Sequence, residues 1–460
     1  MAVIYRYNRA KLTDGLRLEA EFYQPKYLFE VSPHCKWTKI GSILTFCQYG
    51  SSLPLNEEGK GYPIFRLNEI NDCFLTKPQK WVVMSQREYQ MLKLQRDDVL
   101  FCRTNGNFEL VGRTGILKED IDAVFASYLV RVRTNPQYIL PEFLTIYLNT
   151  TFGKLQIQRR AMRSNQVNVS ASQLRAIPIP IFAHEFQEKV ADFVNHAADK
   201  IVLSKHNYAQ AEQLLLSELG LLDWKPRRTL TYVRSFNQVA KASRMDAEHF
   251  HPKYKELRNI IRNYSGGYLR LIDIAVNSNE TIEPRTNPEH NFKYIELADI
   301  DQNIGVIENA KTIKGKNAPS RARMLLRNGD VIASSVEGSL DKVALVSEEY
   351  DGAIGSTGFF VLRPRTVSSG YLLALIKSMI VREQMHCESS GTILAAVPAK
   401  SLKNIIVPNI QQEIQDAISS LVQQSLAAKR EAKTLLEKAK RAVEIAIEYG
   451  EQQAIDFLCK

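Results

Sequence analysis

The 460-residue sequence has no long apolar run and no paired cysteines. A helix that spans a membrane needs about 20 mostly apolar residues, and no such stretch occurs. Residues 1–9 also lack the apolar run of a secretory signal. The six cysteines are scattered without a Cys-x-x-Cys pair, which argues against a disulfide framework and a zinc site. We therefore expect a cytoplasmic protein with reduced thiols.

Short motifs that mark common enzymes are missing as well. The sequence contains no Gly-x-x-x-x-Gly-Lys-Ser/Thr phosphate loop, no Asn-Pro-Pro-Tyr tetrapeptide of amino-methyltransferases, no Gly-x-Ser-x-Gly elbow and no His-Glu-x-x-His motif. Two pairs of possible metal ligands, His249 with His251 and His386 with Cys387, lack a visible third ligand. We therefore predict no catalytic residue and no metal site, and a chain that binds rather than catalyses.

A segment near the start of the chain recurs in its second half. Residues 17–27 read RLEAEFYQPKY, and residues 244–254 read RMDAEHFHPKY. Later landmarks recur in the same order, at 62–70 and 292–300, at 97–101 and 329–333, and at 174–180 and 402–408. The shared order indicates two copies of one module in tandem. Two modules suggest that the chain binds two ligands or two parts of one ligand. A duplication that retains no functional symmetry is the alternative.

The chain is basic, with a net charge of +10 and a pI of about 9.1. Two windows, residues 151–184 and 310–328, contain no acidic residue. Clusters of this kind attract phosphate, because each neutralised phosphate releases condensed counterions. The basic residues of the two windows are Lys154, Arg159, Arg160, Arg163, Arg175, Lys311, Lys314, Lys316, Arg321, Arg323 and Arg327. The charge suggests a polyanionic partner, and a solvated basic surface is the alternative.

Each repeat contains short β-rich runs and then one long helical pattern, which predicts an α+β fold. The predicted strands are 62–67, 99–102, 128–132, 331–333, 343–346 and 358–362, and the predicted shorter helices are 141–158 and 370–385. The expected organisation is a first mixed α/β module at 1–180, a helix at 181–220, a linker and second module at 221–408 and a helix at 409–450. Asp98 and Asp330 each directly precede a predicted strand, so a role in forming a turn is favoured over a catalytic role.

The two long helices carry apolar or small residues at alternating steps of three and four, over residues 186–215 and 414–446. This spacing indicates a packing seam. Asn409 is a candidate N-cap, and Gly220 and Gly450 are candidate terminators. Helices of about 50 to 60 Å are too long for one small domain to cover. We predict that they pair as an antiparallel coiled coil with approximate two-fold symmetry; separate packing on each module is the alternative.

Residues that can read base edges cluster where predicted strands give way to loops. Arginine bonds guanine bidentately, asparagine and glutamine bond adenine, and serine and threonine contact several bases. The candidates in the first module are Tyr49, Ser51, Ser52, Arg66, Asn68, Arg103, Thr104, Asn105, Arg159, Arg163 and Asn165. In the second module they are Ser278, Asn279, Ser334, Ser335, Glu337, Lys342, Ser356, Thr357 and Thr392. Turns favour several of these residues for backbone reasons alone, which is the alternative.

Short motifs occur in the same order in both halves of the chain. The first half contains WTKIG at 37–41, YGSS at 49–52, PIFRL at 63–67, DVLFCRTN at 98–105 and LVGR at 110–113. The second half contains GDVIASS at 329–335, VEGSLDKVALV at 336–346 and STGFF at 356–360. Each pattern alone is weak, but two ordered sets with their long helices are specific. On these motifs the chain resembles, over nearly its whole length, the specificity subunit of type I restriction-modification systems.

The resemblance implies two target-recognition domains held apart by the helical pair, each reading one half of a split double-stranded DNA target. It also implies partners: two methyltransferase subunits that use S-adenosylmethionine to methylate adenine, and restriction subunits that use ATP and magnesium. No cofactor would then be bound by this chain. The alternatives are a methyltransferase-only or other phage-defence system, a duplicated nuclease, and a helical scaffold for an assembly of proteins alone.

Overall fold

A computed structural model describes residues 20–24, 27, 34–161, 167–226, 229–308, 310–391 and 395–460. The chain divides into two compact units. The first comprises the described residues of Met1–Lys200 together with Arg430–Lys460, and the second comprises those of Ile201–Lys429. Each unit therefore contains one module and a part of each long helix.

The first module opens with a short 3-10 turn, Ala20–Tyr23, and continues with short strands and helices. Its strands are β1 (Lys36–Lys39), β2 (Leu44–Tyr49), β3 (Leu55–Asn56), β4 (Tyr62–Phe65), β5 (Ile70–Asn71), β6 (Phe74–Leu75), β7 (Lys80–Val82), β8 (Val99–Cys102), β9 (Thr104–Asn105), β10 (Thr114–Ile116), β11 (Val124–Phe125), β12 (Leu129–Thr134), β13 (Val167–Asn168) and β14 (Pro178–Ile181). Its helices are α1 (Ile40–Ile43), α2 (Gln86–Leu92), α3 (Pro141–Asn149), α4 (Thr151–Arg160) and α5 (Ala171–Arg175), followed by the long α6 (His184–Glu218).

The second module repeats this alternation. Its helices are α7 (Phe236–Ala242), α8 (Pro252–Arg262), α9 (Leu271–Ile274), α10 (Ser369–Lys377) and α11 (Met379–Glu388), followed by the long α12 (Gln412–Tyr449) and by α13 (Glu451–Cys459). Its strands are β15 (Tyr268–Arg270), β16 (Ala275–Asn277), β17 (Asn291–Ile295), β18 (Ile300–Asp301), β19 (Val306–Ile307), β20 (Lys311–Lys314), β21 (Ala322–Leu325), β22 (Val331–Ser334), β23 (Val343–Leu345), β24 (Ile354–Ser356), β25 (Phe359–Pro364) and β26 (Ile406–Pro408).

The two modules share the central strand pairings of their two main sheets and differ at the sheet edges. In the first, the strands lie in the orders β2-β12-β8-β10-β6-β5 and β11-β4-β7-β3, and in the second they lie in the orders β16-β25-β22-β23 and β20-β17-β24-β21. The central antiparallel pair places Leu129 opposite Cys102, and its counterpart places Phe359 opposite Ser334. β8 and β22 are buried at every residue, which explains their continuous apolar runs. The repeat in sequence is thus a repeat in topology, and the mixed α/β class is confirmed.

The single helix predicted over residues 141–158 is wrong, because Thr150 divides it into α3 and α4. The Thr150 hydroxyl donates to the carbonyl oxygen of Tyr147 at 2.6 Å and accepts from the backbone N–H of Gly153 at 3.1 Å. The first bond closes α3, and the second caps α4. A short polar side chain thus ends one helix and starts the next within a single residue.

The helix predicted over residues 370–385 is wrong for the same reason. Ser378 separates α10 from α11, and its hydroxyl donates to the carbonyl oxygen of Leu375 at 2.6 Å. A buried serine or threonine can bond a backbone carbonyl in competition with the helix. The apolar spacing continues through both breaks, so hydrophobic periodicity could not reveal them.

The long helices α6 and α12 are present, and they run antiparallel to each other. In the first unit, Lys200 Nζ lies 2.8 Å from the Glu431 carboxylate, and Lys438 Nζ lies 5.2 Å from the ring centroid of Phe193. Residue numbers therefore rise along α6 as they fall along α12. The coiled-coil geometry and the two-fold relation between the modules stay predictions.

The ends of the long helices only partly follow the sequence prediction. Gly220 and Gly450, which follow α6 and α12, have positive φ angles of 64° and 101° and end the helices as predicted. Asn409 is not the N-cap of α12, which corrects that assignment. Its side-chain amide donates to the carbonyl oxygen of Gly266 at 3.1 Å, and its backbone N–H bonds Gly267 at 3.0 Å. Asn409 thus extends the pairing of β26 with β15, and the helix begins after it.

Ser204 of α6 and Ser425 of α12 meet within the second unit. Each hydroxyl donates to the backbone carbonyl of the other residue at 2.7 Å, and both side chains are buried. Two side chains can reach each other's backbone only where the helices approach closely. The serine pair therefore marks a point at which a larger side chain has no room.

We expect Ser204→Leu to lower the free energy of unfolding by about 3 kcal/mol, because overpacking adds to the missing hydrogen bonds. Ser204→Ala should cost only about 1 kcal/mol. Urea denaturation of both variants measures the difference. Val202→Leu is the matched control, since Val202 is 53% exposed on the same helix. A Ser204→Leu protein as stable as the unsubstituted chain would contradict the close approach.

Each module buries an aspartate that bonds an arginine on a neighbouring strand. Asp98 is 1% exposed, and its Oδ2 accepts from Arg133 Nη2 at 3.0 Å. Asp330 is also 1% exposed and accepts from Arg363 Nε at 2.9 Å. Both carboxylates also accept a backbone N–H from the turn before them, at 2.8 and 2.9 Å. The turn role predicted for these aspartates is confirmed.

None of the described helices is long and apolar enough to cross a membrane. In the described part of the chain, no group of three or more histidine, cysteine, aspartate or glutamate side chains could hold a metal ion. His249 and Cys387 do meet, with His249 Nδ1 lying 2.7 Å from the Cys387 carbonyl oxygen. Burial raises the pKa of the Cys387 thiol to about 11, so the thiol is protonated at neutral pH.

Candidate nucleic-acid interface

The first module brings several of the predicted residues to one edge of its sheets. Tyr49 ends β2, and Arg103 directly follows β8. Both strands are antiparallel to β12, so their ends point the same way, and Tyr49 and Phe101 lie opposite the same residue, Val130. Arg66 follows β4, and the carbonyl of Phe65 accepts from the N–H of residue 126, just before β12. We call this group of strand ends the reading edge.

Arg103 is held at its base and open at its tip. Its Nε donates to the carbonyl oxygen of Ser127 at 3.0 Å, and its guanidinium lies 4.7 Å from the ring centroid of Tyr49. The Tyr49 hydroxyl accepts from the backbone N–H of Ala171 at 2.8 Å, which fixes the ring. No described residue bonds the two Nη groups of Arg103. These groups form the fork that pairs with the O6 and N7 atoms of guanine.

The loop after Arg103 is ordered by its own polar side chains. Thr104 Oγ1 donates to the Val167 carbonyl oxygen at 3.0 Å, within the short β9–β13 pair. Asn105 Oδ1 accepts from the backbone N–H of Asn107 at 2.7 Å, which leaves its amide N–H groups to other partners. The loop therefore presents an amide beside the arginine fork.

Arg66 is partly occupied by a carboxylate. Its Nη2 lies 2.6 Å from Glu69, which is 2% exposed, and its backbone N–H bonds the other carboxylate oxygen at 2.7 Å. Burial raises the pKa of the nearby Tyr128 hydroxyl, and the Arg66 charge opposes that shift. Tyr128 begins the predicted strand 128–132 and is not among the predicted contacts. Arg66 therefore adds positive charge and shape to the reading edge, but its guanidinium is not fully open for a bidentate contact with a base.

The remaining candidates of the first module fall into three groups. Ser52 and Asn68 are exposed, and Ser51 Oγ accepts from the backbone N–H of residue 53 at 3.2 Å. Arg159 Nε donates to the carbonyl oxygen of Phe22 at 3.1 Å, and its guanidinium lies 4.2 Å from that ring, so it anchors the N-terminal segment. The last group lies outside the described residues and comprises Arg163 and Asn165.

In the second module, Ser335 stands where the first has Arg103. The backbone bonds are the same, since the Ser335 N–H bonds the Gly358 carbonyl at 2.8 Å and its own carbonyl accepts from Val397 at 2.8 Å. Its hydroxyl also donates to Gly358, at 2.9 Å. Glu296 likewise takes the place of Arg66 and keeps the same turn, with its N–H bonding Asp299 at 2.8 Å. One backbone plan therefore carries cations in one module and neutral or acidic groups in the other.

Three serines predicted to contact bases are inside the second module. Ser278, Ser334 and Ser356 are 7%, 0% and 7% exposed. Ser278 accepts from the N–H of residue 280 at 3.3 Å, Ser334 bonds the Ser339 hydroxyl at 2.9 Å, and Ser356 accepts from the N–H of Gly358 at 3.3 Å. The structure gives these hydroxyls a role in shaping turns and not an exposed position at the edge.

The other candidates of the second module differ in exposure. Asn279 and Thr357 are exposed, and Glu337 and Lys342 are half-buried. Lys342 Nζ donates to the carbonyl oxygen of residue 300 at 2.9 Å, and the Glu337 N–H bonds the carbonyl of residue 395 at 3.0 Å. Thr392 lies outside the described residues.

Five of the six cations of the second acid-free window pair with carboxylates in the structure, so this window is less positive than its sequence predicts. Lys314 and Lys316 both contact Glu289, at 2.8 and 2.7 Å, and Arg323 contacts Glu283 at 2.7 Å. Lys311 pairs with Glu296, and Arg327 lies 3.6 Å from a Glu280 oxygen. The carboxylates come from residues outside the window, so counting charges along the sequence could not reveal them.

The strand ends carry arginine, tyrosine, amide and hydroxyl groups in the first module and different side chains on the same backbone plan in the second, and groups of these types are suited to bonding base edges. A family model described as type I restriction modification DNA specificity domain matches residues 36–213. This part of the chain is therefore similar to that family, which agrees with the resemblance found in the sequence.

Two specificity subunits are similar to shorter parts of the chain. The specificity subunit of the type I restriction enzyme EcoKI from Escherichia coli K12 is 33% identical over 112 residues, which are 24% of this chain and 24% of that protein. The StySPI specificity subunit from Salmonella potsdam is 25% identical over 138 residues, which are 30% of this chain and 28% of that protein. The alignments thus span about a quarter of these relatives. A crystal structure of the type I S subunit from M. genitalium covers 92% of this chain and 98% of that chain, at 14% identity and a TM-score of 0.41.

Proposed function

We propose that this chain is a non-catalytic specificity subunit that reads a bipartite DNA target, one half with each module. The observation that carries the proposal is the reading edge, where the open Arg103 fork in the first module is replaced by Ser335 on the same backbone in the second. A shared scaffold with different edge chemistry suits two unlike half-sites, because base identity is read by the pattern of donors and acceptors.

The chemistry would then belong to partner subunits. Two methyltransferase subunits would use S-adenosylmethionine to methylate adenine at the target, and restriction subunits would use ATP and magnesium to cleave unmodified DNA. The support for these partners is the family of residues 36–213 and the names of the relatives. This chain would bind none of the cofactors and would act in the cytoplasm.

Mapping methylated adenines across a genome tests the proposal. Cells that express the methyltransferase partner with this chain should show one split motif, and cells without the chain should lose it. Methylation or cleavage of DNA by the purified chain alone would overturn the non-catalytic role. A motif that is unaffected by removal of the chain would overturn the specificity role.

We further propose that the helical pair sets the gap between the half-sites. Seven residues inserted at matching levels in both α6 and α12 preserve the packing seam and add about 10 Å at 1.5 Å per residue. The expected result is a motif whose gap is longer by about three base pairs, at 3.4 Å per base pair. The same seven residues inserted after Leu222, beyond the end of α6, are the control and should leave the gap unchanged. An unchanged gap after the helix insertion would exclude the spacer role.

A further inference from the structure

The second unit contains a strongly basic cavity away from the strand ends described above. It has a volume of about 760 Å³ and is lined by residues from α7, α8 and the segment between them, and by residues from the end of α11 and the segment that leads to β26. Of its lining residues, six are lysine or arginine and one is glutamate. The cavity therefore has an excess of positive charge that no sequence window shows, because its cations come from segments more than 130 residues apart.

The one carboxylate of the cavity is already engaged by neighbours. Glu388 is 7% exposed, and its oxygens accept from Arg258 Nη2 at 3.1 Å and from Asn404 Nδ2 at 3.0 Å. The Nε of Arg258 is buried and has no hydrogen-bond partner among the described residues. Glu388 thus balances Arg258, and Arg244 Nε pairs with Asp246 at 2.8 Å, which leaves the four remaining lysines and arginines of the cavity.

Four cations of the cavity wall are exposed, and none of them forms an ion pair within the described part of the chain; we call them the open cations. They are Lys241, Arg262, Lys400 and Lys403. Like charges held together around a concave surface repel one another and raise the local positive potential. An anionic ligand would relieve this repulsion.

The cavity is linked to the edge of the second module by direct hydrogen bonds. Ser390 lines the cavity and exchanges two backbone bonds of 2.9 Å with Ala396. Ala396 also pairs with Val336, the residue that follows Ser335 at the strand end. Ser390 is therefore connected through two backbone pairings to the strand end that carries Ser335.

The repeat suggests that the cavity is particular to the second module. The offset that aligns residues 17–27 with 244–254 places Asp14 at the position of Lys241. The offset that aligns residues 174–180 with 402–408 places Ser172 at the position of Lys400. Two open cations thus have no basic counterpart, whereas the second offset places Arg175 at the position of Lys403.

We propose that this cavity binds the sugar-phosphate backbone of the DNA beside the half-site of the second module. The inference rests on the proposed function and adds a sequence-independent interaction to it. Cations that surround phosphate position a duplex without reading it, and each neutralised phosphate releases counterions. The second module, which lacks an arginine at the place of Arg103, would draw its affinity from this cavity.

The test is the salt dependence of DNA binding by the complex of this chain with its methyltransferase partner. The probe is a 40-base-pair duplex carrying the mapped motif, and binding is followed between 50 and 200 mM salt. Replacing the four open cations by glutamine should reduce the slope of log K against log[salt] by about 0.9 for each phosphate that is no longer neutralised, or about two to four in total. The preference for the motif over a scrambled duplex should not change.

A second variant removes the same amount of charge elsewhere in the same unit. Lys311, Lys314, Lys316 and Arg323 are each paired with a glutamate, and their replacement by glutamine should change the slope by less than half as much. Equal changes in the two variants would overturn the proposed role of the cavity and indicate general charge. An unchanged slope with impaired assembly of the complex would also overturn it and indicate an acidic protein surface.

The same binding experiment tests the proposed function separately, through the unsubstituted complex. If the unsubstituted complex shows no preference for the motif duplex, the specificity role is refuted. The comparison of slopes can still be made on the scrambled duplex, so binding of phosphate by the cavity is decided in either case.

Discussion

Asp98→Ala is expected to destabilise the first module by about 3 to 5 kcal/mol, because it leaves a buried cation without its carboxylate. Asp98 is 1% exposed and bonds Arg133, while Arg131 Nη1 lies 3.7 Å from its Oδ2. The Arg131 side chain is 3% exposed and lies 4.9 and 5.3 Å from the ring centroids of Phe46 and Phe125. Burial lowers the pKa of Arg131 to about 10, so it still carries its charge at neutral pH.

Asp330→Ala should cost less, about 1 to 3 kcal/mol, although the two aspartates are equivalent by the repeat. Arg363 is 36% exposed at its side chain and also bonds Glu280 at 2.7 Å, so it keeps a partner and access to water. The register of β25 with β22 places Val361 where the first module has Arg131, so no second cation is left buried.

Hydrogen exchange measured strand by strand separates the two effects. Protection of β8 and β12 should fall in Asp98→Ala, and protection of β22 and β25 should fall by a smaller factor in Asp330→Ala. Asp97→Asn is the control, because Asp97 has a φ of 67° that asparagine tolerates and its side chain is 41% exposed. Equal decreases in the two modules would show that Arg131 does not depend on Asp98.

Much of the fold could be predicted because its sequence patterns occur twice in the chain. The strands at 99–102 and 331–333 and the two long helices follow from apolar patterns that recur in order. The breaks at Thr150 and Ser378 could not be predicted, since each depends on one hydroxyl bonding a carbonyl within an apolar stretch. The periodicity of apolar residues does not reveal where a side chain competes with a backbone N–H for a carbonyl oxygen.

The candidate site was predictable in position and less so in chemistry. Tyr49 and Arg103 were selected because they lie at strand ends, and the structure places the Arg103 guanidinium 4.7 Å from the Tyr49 ring centroid. Which cations stay open depends on carboxylates far along the chain. Arg66 is engaged by Glu69, whereas the Nη groups of Arg103 meet no described partner. The basic cavity was missed for the same reason, since the tertiary fold assembles it.

Arg103→Ala is expected to weaken binding to DNA with the correct first half-site by about tenfold to a hundredfold, since a bidentate arginine contributes about 1 to 3 kcal/mol of discrimination. The preference for the second half-site should survive, because Ser335 and its neighbours belong to the other module. Competition binding with duplexes altered in one half-site at a time measures the two preferences separately.

Two further variants distinguish base reading from charge. Arg103→Lys keeps the charge but lacks the planar fork, so it should lose discrimination while the salt slope stays unchanged. Arg96→Ala removes an exposed arginine just before β8, at the end opposite Arg103, and should alter neither property by more than about twofold. If Arg103→Ala weakened binding equally on all sequences and reduced the salt slope by about one, Arg103 would bind phosphate instead of a base. The first module would then have to read its half-site through Asn105 and the loop beside it.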